Sequence, residues 1–178
     1  MSTFLPDSSR VASLTRRDFA RIAGAAAAVA STPFTRSAFA RTAPSNRITI
    51  GIIGWGMMGP ANAQAFLGYD DCQIVAACDI HRAHLQTAID TVNNHYGNKD
   101  CKAYRDYHEV LERDDIDAVM IAIPDHWHAI AATEAAAKKK DIYGEKPLAK
   151  TVAEQQAIVK AVEANNVIRQ TGSWQRSL

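Results

Sequence analysis

From Arg47 onward the chain repeats one pattern: a short apolar run, a turn, and a helix-length segment. The runs are RITIGII (47–53), CQIVAAC (72–78), IDAVMIAI (116–123), DIYG (141–144) and VIRQTG (167–172), with a weaker one around KAYRD (102–106). Helical patterns fill the intervals: ANAQAFLG (61–68), HRAHLQTAIDTVNNHYG (81–97), YHEVLER (107–113), HAIAATEAAAKKK (128–140) and VAEQQAIVKAVEANN (152–166). Strands that are apolar on both faces must be covered on both, and alternation with helices supplies that cover. The expectation is an α/β domain over residues 47–178, a doubly wound parallel sheet of the Rossmann type. Thr151 and Glu154 form a capping-box signature for the last helix. Lys138, Lys139 and Lys140 are expected in the last turn of the preceding helix, opposing its dipole.

In such sheets ligands bind beyond the carboxyl ends of the strands. The first strand runs into Gly54-Trp55-Gly56-Met57-Met58-Gly59. G-x-G-x-x-G is a weak signal by itself. Here it follows a strand, opens a helix and is answered by Asp79 at the end of the next strand, which is the context of a dinucleotide-binding loop. Gly54 would allow the tight turn, Gly56 the approach of a pyrophosphate, and Gly59 close packing of helix on strand. Free N–H groups at the helix start would receive the phosphates, and Pro60 is tolerated in that first turn. Asp79 would accept hydrogen bonds from the adenosine ribose and repel a 2′-phosphate, which favours NAD over NADP. His81 and Arg82 act against that preference. Asp79 can at the same time be the N-cap of a helix starting at His81.

The fourth strand ends in Pro124-Asp125-His126-Trp127-His128. Asp125 is suited to cap the following helix. Zinc is the rival use of the two histidines, but His-x-His without a third ligand is thin evidence. Cys72, Cys78 and Cys101 lack the paired spacing of a zinc site or a disulfide framework, so no metal is expected. Cys78, inside an apolar run, reads as a small buried hydrophobe. The fifth strand runs directly into Glu145, Lys146 and Pro147. That pair is either a solvated ion pair closing a strand or a pair of charges facing a ligand.

Taken in order, the glycine loop, the acid after the second strand, "PDHWH" and "EKP" resemble the glucose-fructose oxidoreductase, inositol dehydrogenase and rhizopine-catabolism oxidoreductase family. The resemblance covers residues 47–178. It implies that Glu145 contacts the nicotinamide-side ribose and that Lys146 is catalytic, reaching the substrate hydroxyl that is oxidised. It also implies a cis peptide before Pro147. A lysine beside an oxidised nicotinamide has its own charge disfavoured, which suits acid–base work. Pro124, Asp125 and His128 match family positions lining the cofactor. Trp174, Gln175 and Arg176 follow the sixth strand, where the family touches the nicotinamide region.

Residues 1–40 carry a different signal. Arg16-Arg17 precede Phe19, an alanine-rich run follows, and Ala38-Phe39-Ala40 offers a cleavage site. This is the layout of a twin-arginine signal peptide, with 41–46 as a linker, and it implies export to the periplasm or beyond. A membrane anchor would need about 20 apolar residues, and Thr32, Pro33, Thr35 and Arg36 interrupt the run. Cleavage would remove five arginines and two aspartates and turn a formal charge of +1 into −2. Nothing in that balance suggests a nucleic-acid partner. Family members continue into a second domain that covers the nicotinamide and binds most of the substrate, a sugar or polyol. This chain stops at Leu178, so a cofactor domain without its substrate domain is expected, and a homo-oligomer if full length. The alternatives are an NAD-using enzyme of the same family that cleaves glycosides or eliminates, and a nucleotide-binding fragment without activity.

Overall fold

The structure, a computed structural model, describes residues 46–173. The proposed signal peptide, most of the linker, and Trp174, Gln175 and Arg176 lie outside the described residues. Six strands form one parallel sheet: β1 (Ile48–Ile53), β2 (Cys72–Cys78), β3 (Lys102–Tyr104), β4 (Ala118–Ile121), β5 (Asp141–Glu145) and β6 (Arg169–Gly172). Their order is β3-β2-β1-β4-β5-β6. The helices between them are α1 (Gly59–Leu67), α2 (Arg82–Tyr96), α3 (Tyr107–Leu111), α4 (His128–Ala137) and α5 (Val152–Asn165), with a 3₁₀ turn at Asp125–Trp127 before α4. This is the doubly wound arrangement the alternation predicts. Its strand order reverses between β1 and β4, the point where such sheets bind ligands.

Each face of the sheet has its own core. Ile50, Ile52, Ile74 and Met120 pack with Ala63 and Leu67 of α1 and Leu85, Ala88 and Val92 of α2. On the opposite face Ile53, Val119, Ile121 and Ile142 meet Ala131, Ala132, Ala135 and Ala136 of α4 and Ile158 of α5. The alanine stripe brings α4 close to the sheet, since small side chains permit a short interlayer distance. Cys78 is buried as expected.

Two boundaries differ notably from the sequence reading. β6 starts at Arg169, because the Ile168 N–H donates to the Asp141 side-chain carboxylate rather than to a main-chain carbonyl. α4 ends at Ala137, and its three lysines lie beyond it. Lys139 takes a left-handed φ of 61°, so the N–H groups of Lys139 and Lys140 turn back to the carbonyls of Ala136 and Ala135. That is a Schellman closure with lysine where glycine is usual. Lys140 then points inward and donates from Nζ to the carbonyls of Arg113 and Ile116. Its charge is spent on loop carbonyls, not on the helix dipole. Thr151 forms the expected capping box with Glu154. Among the described residues no helix is long and apolar enough to cross a membrane.

Candidate functional site

The carboxyl ends of β1, β2, β3 and β4 open onto a cleft of about 710 Å³. Gly54, Gly56, Asp79 and Pro124 line it, as the sequence predicts. Gly54 has φ +96°, and a Cβ there would lie 2.3 Å from the Ala122 carbonyl oxygen, so no other residue fits. At Gly59 a Cβ would lie 2.4 Å from the Gly54 carbonyl oxygen, so this glycine presses the start of α1 against the loop itself. Over Gly56 the space is open: a Cβ would meet nothing within 4 Å. A backbone bared on its open side is what a phosphate-binding loop requires.

The side chains of the loop are placed differently from its glycines. Trp55 is buried and belongs to the core above α1, so only its backbone serves the site. Met57 is almost wholly exposed, and Met58 is the N-cap residue of α1. Pro60 sits in the first turn. Asp79 binds the loop directly: the Trp55 N–H donates to Oδ2 at 2.8 Å and the His81 N–H to Oδ1 at 2.7 Å. It is therefore not the N-cap of α2, a position held by His81. Instead it joins the end of β2 to the glycine loop. His84 Nδ1 lies 3.6 Å from the same carboxylate. Among the basic neighbours it is Arg105, not Arg82, that lines the cleft with His81 and His84; Arg105 donates to the Ile80 carbonyl. The sequence missed Arg105 because β3 is short and half exposed, so its carboxyl end carries no strong apolar signal.

Below the cleft, burial pushes the Cys78 thiol up to about 12, helped by the Asp79 carboxylate. It stays a thiol at any ordinary pH. At the cleft's outer rim Asp106 caps α3 through the His108 N–H. It also pairs with the His108 ring, whose other nitrogen lies 3.3 Å from Glu134 of α4. Hydrogen bonds from the His108 backbone N–H and then its ring lower the Asp106 carboxyl, and the ring bond to Asp106 raises the His108 imidazole.

At the end of β4, Asp125 makes no capping bond: the 3₁₀ turn closes through the Trp127 N–H to the Pro124 carbonyl, and Trp127 is the N-cap residue of α4. Trp127 itself lines the cleft, half exposed. His128, expected to line the cofactor, is only 2% exposed. Its Nδ1 faces the Pro147 carbonyl oxygen at 2.6 Å and its Nε2 faces that of Ile123 at 2.9 Å. Two main-chain oxygens hold the ring inside, behind the cleft-lining Ile123.

At the end of β5 the picture of a solvated Glu145–Lys146 ion pair fails. Glu145 is 4% exposed. Its Oε1 accepts a hydrogen bond from Asn62 Nδ2 at 2.8 Å, and its Oε2 one from the Lys146 N–H at 3.2 Å. Asn62, buried in the second turn of α1, escaped the sequence reading because its partner lies 83 residues away. A Cβ at Gly172 would lie 3.0 Å from Oε1, so the end of β6 backs the carboxylate closely. Burial, and then the Glu145 charge, raise the Tyr143 hydroxyl. Lys146 is exposed, and the Lys146–Pro147 peptide is cis. Among the described residues no group of three or more His, Cys, Asp or Glu could hold a metal.

A family model described as an oxidoreductase family, NAD-binding Rossmann fold, matches residues 48–173. The chain is 33% identical over 123 residues to a glycosyl hydrolase family 109 protein of Shewanella baltica, covering 65% of this chain and 26% of that one. It is 32% identical over 116 residues to an inositol 2-dehydrogenase of Salmonella paratyphi B, covering 65% and 33%. A solved NAD-binding oxidoreductase from Klebsiella pneumoniae superposes with a TM-score of 0.59 at 30% identity, over 71% of this chain and 34% of that one. The chain thus spans between a quarter and a third of the length of the curated relatives it matches.

Proposed function

The chain belongs to the Gfo/Idh/MocA oxidoreductase family with an NAD-binding Rossmann fold, and on that premise we propose that it is the cofactor-binding part of an NAD-dependent dehydrogenase of sugar- or polyol-like alcohols. The observation that carries this reading is a shared edge. The open backbone at Gly56, the Asp79 carboxylate tied to the glycine loop, and the Glu145-Lys146-Pro147 segment all stand at carboxyl ends of one parallel sheet.

The residues present fit a dinucleotide. The loop around Gly56 and the start of α1 would hold the pyrophosphate. Asp79 would take the adenosine ribose, and its charge favours NAD over a cofactor with a 2′-phosphate, against the pull of Arg105. Glu145 would take the second ribose. When bound, the nicotinamide accepts or returns a hydride. Lys146 would hold and release the proton of the substrate hydroxyl at Nζ, while Glu145, fixed by Asn62, would orient the second ribose beside it.

The test has two parts. Titrating NAD and NADP onto this chain should show tighter NAD binding, and Asp79→Ala should narrow the difference; equal or tighter NADP binding overturns the assignment. In a protein carrying the further length of the relatives, Lys146→Ala at saturating cofactor should slow single-turnover hydride transfer by about 10²–10⁴-fold, the usual worth of acid–base catalysis. Lys146→Arg should rescue little, because a guanidinium does not give up its proton. An unchanged rate removes Lys146 from the chemistry.

A second reading is favoured by the similarity to the family 109 glycosyl hydrolase. Oxidation beside a C–H bond acidifies it, so the same cofactor can serve a net cleavage of glycosides. Product analysis separates the two, since only the dehydrogenase accumulates reduced cofactor.

A further inference from the structure

His128 is the first residue of α4 and the least exposed polar residue in the described chain. It makes two contacts, both to main-chain oxygens: Nδ1 to Pro147 at 2.6 Å and Nε2 to Ile123 at 2.9 Å. A carbonyl oxygen only accepts, so both contacts are hydrogen bonds together only when both ring nitrogens carry protons. Ile123 lines the cleft beyond β4, whereas Pro147 follows Lys146 directly. The ring is thus a strut from the cleft wall to the lysine segment, across 19 residues of sequence. The same segment is pinned on its other side, where Asn62 of α1 holds Glu145. Between the two pins Lys146 is exposed, and among the described residues its ammonium has neither a hydrogen bond nor an ion pair.

We propose that His128 is a positioning residue for Lys146: its Nδ1 contact fixes the Pro147 carbonyl, and its Nε2 contact with the Ile123 carbonyl references the ring to the end of β4. The proposal rests on the reading of Lys146 as the group that faces the nicotinamide. Side-chain geometry separates the two bonds. An asparagine amide nitrogen stands where Nδ1 does, and a glutamine amide nitrogen where Nε2 does. His128→Asn therefore keeps the bond to Pro147, and His128→Gln keeps only the one to Ile123.

The experiment uses the 178-residue chain with its lysines reductively methylated with ¹³C, the Lys146 methyl signal being assigned through Lys146→Arg, and NAD as the added probe. In the unaltered chain NAD should shift that signal. In His128→Asn the shift should persist. In His128→Gln and His128→Leu it should be lost while NAD affinity stays unchanged, an outcome that a purely space-filling histidine does not produce. Equal shifts in the asparagine and glutamine variants overturn the proposal. An unaltered chain whose Lys146 signal ignores bound NAD instead overturns the reading of Lys146, and the proposal falls with it. A measurement that needs no variant to fold stands beside these. The His128 Nδ1–H of the unaltered chain should appear as a slowly exchanging proton, and exchange at the rate of a free imidazole overturns the bond to Pro147.

Discussion

Individual residues in this site work through main-chain partners more often than through each other. Asp79 accepts from two backbone N–H groups, and His128 faces two carbonyl oxygens. Such contacts suit a scaffold whose loops must stay in place while one surface remains open for a ligand. His108 and Asp106 at the rim pair side chain to side chain, as Asn62 and Glu145 do, and they make a pH prediction. His108 is raised by its bond to Asp106, so its contribution is fully present below the ordinary histidine value and is lost as pH rises through the raised one. Asp106 is lowered first by the His108 backbone N–H and then by the ring, so its contribution is present above the ordinary carboxyl value and is lost as pH falls through the lowered one. The link from α3 to Glu134 of α4 should hold between those limits and weaken outside them. A ring-proton titration should find His108 above an ordinary histidine. Asp106→Asn, which can still accept from the His108 N–H, should bring it down. Both groups are exposed, so salt should shrink the shift. A His108 midpoint that Asp106→Asn leaves in place would show that the pairing is absent in solution.

The elements show how much their ends matter. α1 is only nine residues long, yet its first turn must bring Gly59 against Gly54 and its second must bring Asn62 to Glu145. α4 is kept close to the sheet by alanines and closed by a lysine in a left-handed conformation. A non-glycine residue there costs about 1 kcal/mol. Lys139→Gly should therefore raise the stability against urea by about 0.5–1 kcal/mol, since glycine takes the same φ freely. The substitution also removes an exposed bond from Lys139 Nζ to the Asn165 carbonyl, a small loss at the surface. A fall in stability would mean that this contact between the end of α4 and α5 outweighs the backbone conformation.

For the whole molecule the sequence also raises the matter of location. Arg16 and Arg17 ahead of an alanine-rich run motivate the proposal that the protein leaves the cytoplasm folded, with its cofactor already bound. Replacing both arginines with lysine should trap the precursor in the cytoplasm, as fractionation and the size of the protein would reveal. Normal processing of the double variant rules the pathway out. The physical sense of the arrangement is that a cleft built at the switch point of a finished sheet can load its cofactor only after folding.

What the sequence determined by itself is what depends on neighbours along the chain. The period of the apolar runs settled the parallel sheet, since strands buried on both faces leave no other layering. Gly54, Gly56, Gly59 and Asp79 could be read because the turn, the helix start and the next strand's end follow at fixed spacing. The capping box at Thr151 is local for the same reason. Tertiary structure alone decided the partners. Asn62 meets Glu145 only because β1 leads into α1 while β5 ends two strands away. His128 turns from the cleft to Pro147 because two loops from different strands converge on its ring. Trp55 points into the core although it stands inside the glycine loop. Direction and pairing of side chains depend on which strand ends the sheet sets side by side, and no spacing along the chain encodes that.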